Sequence, residues 1–350
     1  MVTLGQWVTE LCAWADLGPI RQTSYIDCAL PYAEKALIRR LGREVAKRGG
    51  AGTALRVGMG DDCAVIQVPR GQQALVTTDF SLEDIHFKRA WHPAESVGYR
   101  CLARGLSDIA AMGGEPLAAF LSLALPPRLP QRWVDEFLRG LLRLAGEFAV
   151  PLAGGDTAES PGGILADIVV LGSVPTGKAV LRSGARAGDR IFVTGELGAS
   201  AATVAMLARQ RKLRPAEFPA HFYPRPRIEV GRFLREKGLA SAMIDISDGL
   251  STDLGHICED SGVGAEVEAQ SIPLGRVARR KVDLHFALHG GEDYELLFTV
   301  PLGKRVPKRI AGVAVGQIGQ VMRGEGVILK DGESGGRRLR ALGWEHFRRA

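Results

Sequence analysis

The stretch "AMIDISDGLSTDLGHICEDSG", Ala242–Gly262, decides how the fold is read. "AMIDIS" reads as a strand and "GLSTDLGHICEDSG" as a helix. Asp245 falls in the strand and Asp248 in the small-residue turn before the helix. Taken alone, Asp248 needs no more than a capping role before a helix. The same mixture extends in both directions. "RIFVTG", "AEVEA" and "YELLFTV" read as strands, and "GASAATVAMLARQRKL" and "RPRIEVGRFLREKGLA" as helices. Earlier come the strands "DCAVIQV", "QALVTTDF" and "ILADIVVLGSV". Helical patterns, "PAESVGYRCLARGLSDIAAMG" and "PQRWVDEFLRGLLRLAGEFAV", lie between them. Alternation in both halves predicts an α/β or α+β chain.

The length, 350 residues, suggests about two domains. A turn-rich stretch, "PTGKAVLRSGARAGDR", sets the expected boundary near residue 175, giving domains 31–175 and 176–350. Residues 1–30 stand apart as an N-terminal extension. Leu4, Trp7, Val8, Leu11, Cys12 and Ala15 share one face of an expected helix there. "LPYAEKALIRRLGREVAKRGG" reads as a second amphipathic helix, closed by glycines.

Five scattered cysteines without a C-x-x-C argue for free thiols in a reducing compartment. The N-terminus lacks a basic start followed by an unbroken apolar run, and "LAAFLSLALPP" is too short to span a bilayer. A cytoplasmic protein is expected. The net charge of +6 suits a polyanionic substrate. No nucleic-acid reader motif is present, so nucleic acid is not the expected partner.

Acids recur beside glycines or hydroxyl residues at the ends of apolar elements. They are Asp61 and Asp62 in "GMGDDCAV", Asp79 in "VTTDF", Asp108 in "GLSDIAAMGG" and Asp156 in "LAGGDT". Asp245 and Asp248 in "IDISDGLS", and Glu292 and Asp293 in "HGGEDYEL", complete the series. Each alone is explained by a turn or a cap. If they converge, hard oxygen ligands suit Mg²⁺ rather than zinc or copper. Magnesium keeps few carboxylates and fills its shell with water and phosphate oxygens, so several acids imply several ions on a polyphosphate. Such ions would make the adjacent charges of Asp61 and Asp62 tolerable. No Walker loop, kinase "HRD" or "DFG", or G-x-S-x-G elbow is present. "GELGAS", Gly195–Ser200, offers a weak anion-site signal at a helix start. His86 follows Asp79 by seven residues and could face the same site.

Together, "GMGDDCAV", "TTDFSLEDIHF", "LSDIAAMGGEP", "AGGDT", "RSGARAGD", "DISDGLSTDLGHI" and "GGEDYEL", in this order, resemble the thiamine-monophosphate kinase family. That family lies in the superfamily of aminoimidazole ribonucleotide synthetase and selenide, water dikinase. The resemblance runs from about residue 32 to the C-terminus. It implies a two-domain aminoimidazole-ribonucleotide-synthetase-like fold, with N-terminal domains paired in a homodimer and a C-terminal mixed sheet with helices. It implies ATP- and Mg²⁺-dependent conversion of thiamine monophosphate to thiamine diphosphate. Carried over by position, the metal set is Asp62, Thr77, Thr78, Asp79, Asp108, Asp156, Asp245 and Asp248. Gly155, Asp156, Arg182 and Ser247 match ATP contacts, and His86, Glu292 and Trp344 match thiamine phosphate contacts. Asp62, Asp79, Asp108, Asp156 and Asp245 are the residues expected to carry catalysis. Where the family commonly has Asn this chain has Gly105, and the loss of a polar contact is expected there. A sibling ATP-dependent enzyme, a two-metal phosphohydrolase or nuclease, and a non-catalytic binder are the alternatives.

Overall fold

The computed structural model describes residue 43 and residues 54–59, 62–209, 212–332 and 335–344. The N-terminal extension, Asp61, Cys12 and Cys28 lie outside the described residues, as does the predicted helix before residue 50 except for the helical Arg43.

The first half contains β1 (Leu55–Val57), β2 (Val65–Ile66), β3 (Gln72–Leu82), α1 (Ala94–Ala111), β4 (Glu115–Leu125), α2 (Gln131–Glu147), β5 (Leu152–Glu159) and β6 (Leu165–Pro175). β1 and β2 form a small antiparallel ribbon. The other strands form one sheet in the order β3-β6-β4-β5, antiparallel except for β4–β5. The helices α1 and α2 cover one face of it. Its other face leaves Val76 and Phe80 exposed.

The second half runs β7 (Arg190–Thr194), α3 (Ala199–Ala208), α4 (Pro219–Phe222), α5 (Ile228–Glu236), β8 (Ala242–Asp245), α6 (Leu250–Ser261), β9 (Gly264–Glu268), β10 (Arg276–Val277), β11 (Arg280–Lys281) and α7 (Leu284–His289). It closes with β12 (Leu296–Val300), β13 (Arg309–Ile310), β14 (Val313–Met322), β15 (Gly326–Lys330) and β16 (Gly336–Leu339). The main sheet has the order β16-β15-β9-β14-β7-β12-β8, and only β15–β9 is parallel. The fold is a mixed α/β (α+β) architecture.

Strand alternation decides how the halves join. Along β7, Ile191 and Val193 enter a core with Leu250, Leu254 and Ile257 of α6, while Phe192 faces the other way. In β12, Leu297 goes to the α6 side and Leu296, Phe298 and Val300 to the opposite side. That opposite side merges with the core of the first half through α1 and α5. Successive strand side chains point to opposite faces, so a sheet buried on both faces must be apolar at every position. α1 therefore lies between the two halves, and its residues are almost all buried. No described helix is long and apolar enough to cross a membrane.

The position of Gly105 follows from this packing. A Cβ there would stand 2.6 Å from Val170 Cγ2 of β6 and 3.6 Å from Ile168 Cγ2. The residue faces the sheet, so no polar contact to the cleft is lost, contrary to the expectation from the sequence. Gly105→Asn is expected to overpack this seam and cost about 1–3 kcal/mol, read from urea denaturation. Unchanged stability would refute the packing argument.

Candidate active site

Three acids meet where α1 passes between the halves. On β3, Asp79 shares the inward face with Thr77, because alternate residues line one face. Asp108 comes from the last turn of α1, and the Thr77 hydroxyl donates to its Oδ2. Asp245 ends β8 on the side of Met243, toward α1, and Ser107 Oγ donates to its Oδ2 (2.7 Å). Burial, then the neighbouring Asp108, pushes the Asp79 carboxyl up to about 7. The same two causes, in the same order, push Asp245 up to about 7. Asp108 is also raised by burial, with Thr77 and Arg182 opposing. Like charges held this close without a cation resist ionisation.

These acids form one end of a cavity of about 440 Å³. Ser247, Asp248 and Arg104 line the same region. Ile85, Phe87, Trp91, Ala201, Val204 and Trp344 give the cavity an apolar, partly aromatic side. His86 and Glu292 also line it. The Leu82 N–H donates to His86 Nδ1 (3.0 Å), so a neutral His86 carries its proton on Nε2.

Glu292 sits in a strained turn. Its φ is 65° and that of Tyr294 is 51°, in the left-handed region. The "GGEDYEL" segment is tied to the "DISD" turn by Glu292 N–H to Ser247 O (2.8 Å), Tyr294 N–H to Ile246 O (2.9 Å) and Ile246 N–H to Glu295 O (2.7 Å). A Cβ on Gly291 would stand 2.4 Å from the Ser247 carbonyl, so only glycine permits the approach. Arg100 Nη2 donates to Glu292 Oε2 (2.5 Å) and Arg104 Nη2 to Oε1 (2.6 Å). Burial acts to raise this carboxyl, but Arg100 and Arg104 outweigh it and hold it well below the usual carboxylate range.

Trp344 of the C-terminal segment adds to the cavity wall. The Trp344 N–H donates to Asp248 O (3.1 Å) and the Gly343 N–H to Thr252 Oγ1 (3.2 Å). Asp248 also groups with Asp253 and His256 of α6 closely enough for a shared ion. Asp253 is occupied structurally, accepting from the N–H groups of Asp248 (3.2 Å) and Gly249 (3.0 Å).

Other residues from the sequence reading lie elsewhere. Thr78 faces the opposite side of β3, where its hydroxyl donates to Asp167 Oδ1 (3.0 Å). Asp156 is exposed on β5, in register with Ser122, Asp167 and Phe80 on that same open face. It stands three strands from β3, about 14 Å at about 4.8 Å per strand. Gly155 adjoins it. Asp62 is exposed in the turn before β2. Arg182 is exposed, yet close enough to lower the Asp108 and Asp245 carboxyls. Asp293 is no cavity group. It accepts the Gly198 N–H (2.7 Å) at the start of α3, and burial raises it to about 8. The anion site read into "GELGAS" is thus filled by the chain's own carboxylate.

Sequence reasoning missed Arg100, Arg104, Ser107, His92 and His221. His92 Nε2 lies 2.9 Å from His221 Nε2, and His221 Nδ1 lies 3.0 Å from Ser200 Oγ. His92 Nδ1 meets both the carbonyl and the N–H of Lys88 at 3.1 Å. Either direction of the chain satisfies two neutral imidazoles. Burial, then Arg100, lowers His92 to about 4 and holds His221 well below the usual range. Unfolded histidine binds a proton below about 6.5, and the folded pair does not. Stability contributed by the neutral pair is therefore complete above that value and falls as pH drops toward 4. The urea midpoint is expected to fall between pH 7 and pH 5, and to fall less in His92→Gln. Equal slopes would contradict the neutral pair.

The family model described as AIR synthase related protein, N-terminal domain, matches residues 60–174, and the corresponding C-terminal domain matches residues 186–332. Thiamine-monophosphate kinase of Salmonella typhimurium is 41% identical over 277 residues, covering 76% of this chain and 82% of that protein. The crystal structure of thiamine-monophosphate kinase from Stenotrophomonas maltophilia K279a superposes with a TM-score of 0.74 at 32% identity, covering 83% of this chain and 95% of that one. A structure described as AaThiL complexed with AMPPCP and TMP gives 0.71 at 30% identity, covering 93% and 100%. The chain belongs to the thiamine-monophosphate kinase family.

Proposed function

We propose that the chain transfers the γ-phosphoryl group of ATP directly to thiamine monophosphate, giving thiamine diphosphate and ADP. One observation carries this reading: Asp79, Asp108 and Asp245, from three elements of both halves, meet in the wall of one cavity that Ile85, Phe87, Trp91 and Trp344 also line. The relative with AMPPCP and TMP bound supports the same pair of substrates.

Several Mg²⁺ ions per site belong to the reading, and the residues fit them. The donors are hard oxygens, and their mutual repulsion calls for a cation. Magnesium bound there would supply positive charge to offset the negative charge of the phosphates. Asp79, Asp108, Asp245 and Asp248 would hold it, with the Thr77 hydroxyl orienting Asp108. Arg182 and Ser247 would meet the nucleotide; Asp62, Thr78 and Asp156, expected as metal ligands, and Gly155, expected at ATP, lie outside the lining of this cavity, and the proposal places no ligand on them. His86, Glu292 and Trp344 would take the thiamine part.

In the reaction, an acceptor phosphate oxygen attacks the γ-phosphorus, and the bond to the β–γ bridging oxygen breaks with its electron pair leaving on ADP. A phosphate monoester has a second pKa of about 6, so the dianion needs no base. The acidic side chains would hold the magnesium and so position both phosphates; they do not move protons. Domain limits at 31–175 and 176–350 and a cytoplasmic homodimer without nucleic-acid or membrane partners complete the proposal. Val76 and Phe80, 66% and 52% exposed on the open sheet face, support pairing there.

The test is purified protein with Mg-ATP and thiamine monophosphate, scored for thiamine diphosphate by chromatography. Formylglycinamidine ribonucleotide and selenide serve as rival acceptors. Phosphate release with no thiamine diphosphate, or turnover of a rival alone, would refute the reading.

A further inference from the structure

Arg104 lies on α1 one turn before Asp108, with Arg100 one turn earlier on the same face. Both are buried. The two guanidiniums take one oxygen each of Glu292, so its carboxylate cannot pivot. The second arm of Arg104 goes elsewhere: Nη1 donates to the Phe80 carbonyl (2.6 Å), the residue directly after Asp79. One guanidinium thus joins the strand that carries Asp79 to the turn that carries Glu292. A balanced structural ion pair would need one arginine for this carboxylate. The second guanidinium, Arg104, also faces the Asp79 carboxyl, so it serves both the Glu292 turn and the strand that carries Asp79.

We propose that Arg104 is a positioning residue for the acceptor, holding Glu292 at a fixed place relative to β3 and its Asp79. The proposal rests on the reading of Glu292 as a thiamine phosphate contact. A planar fork can serve a carbonyl and a carboxylate at once, whereas a lysine ammonium is a point charge that reaches one of them well. Arg104 also lines the cavity and lowers the Asp79 carboxyl, but both of its hydrogen bonds go to Glu292 and the Phe80 carbonyl, so its loss falls first on the acceptor contact.

The test uses the full chain carrying R104M or R104K. Melting temperature, kcat, and KM for each substrate are measured, with calorimetric binding of thiamine monophosphate. In R104M the KM and Kd for thiamine monophosphate are expected to rise tenfold or more, with KM for ATP within twofold of wild type. R104K is expected to melt near wild type and still show an acceptor KM at least threefold raised, a split that a merely structural bolt would not give. R104K carries the test alone if R104M fails to fold. An acceptor KM within twofold of wild type in the folded variants, or a parallel rise in both KM values, overturns the proposal. Wild type that makes no thiamine diphosphate overturns the functional reading, and this proposal with it.

Discussion

Asp79→Asn lowers turnover by about two orders of magnitude or more and raises the melting temperature of the metal-free protein. The rate effect follows from the proposed role of Asp79 in holding magnesium against the phosphates. The stability effect has the opposite sign for a separate reason. Burial and Asp108 raise the Asp79 carboxyl from 3.8 to about 7. Between these values the folded chain binds more protons than the unfolded one, so stability falls as pH rises through that window. At pH 8 the ionised carboxylate destabilises the metal-free fold by a few kcal/mol, and asparagine removes that cost. Added magnesium should stabilise wild type at pH 8 more than it stabilises the variant. Near-normal turnover, or a lower melting temperature in the variant, would contradict this account of Asp79.

Glu292→Ala is expected to destabilise the protein by about 3–5 kcal/mol, because it leaves two buried guanidiniums without their carboxylate. The two arginines come from α1 and Glu292 from the second half, so the loss falls on the seam between the halves. Urea denaturation with unchanged m-value reads it directly. A loss below about 1 kcal/mol would show that the ion pairs are surface-like in strength. On the proposed acceptor role of Glu292, the variant is also expected to lose binding of thiamine monophosphate.

Much of the architecture was legible in the sequence. β8, β12, α1, α2 and α6 fall within stretches whose apolar spacing predicts them, and β3 and β6 run one or two residues past theirs. The run "LAAFLSLALPP" was read only as too short for a bilayer. It belongs to β4, a central strand with β6 and β5 on either side. "LAGGDT" reads as a glycine turn, yet Leu152–Glu159 is a strand, since pairing with β4 overrides the local glycine preference. β14 was missed because Gly316, Gly319 and its glutamines dilute the alternation.

In the site, the acids marked the right loops, but carboxylate positions alone do not say which face they reach. Thr77 and Thr78 are neighbours in sequence and lie on opposite faces of β3, a difference that the two-residue period contains. Arg100, Arg104 and Asp108 form a charged stripe at four-residue spacing on an otherwise buried helix, and that signal was available in "YRCLARGLSD". The His92–His221 contact joins residues 129 apart and leaves no local trace in the sequence.

The most direct test of the central claim is a crystal structure grown with Mn²⁺ and an unhydrolysable ATP analogue, with metals located by anomalous scattering. The account predicts metal ions at coordination distance from Asp79, Asp108 and Asp245 together, bridging both halves of the chain and the nucleotide phosphates. Nucleotide bound with these three carboxylates uncoordinated, or metals held by one half alone, would contradict it.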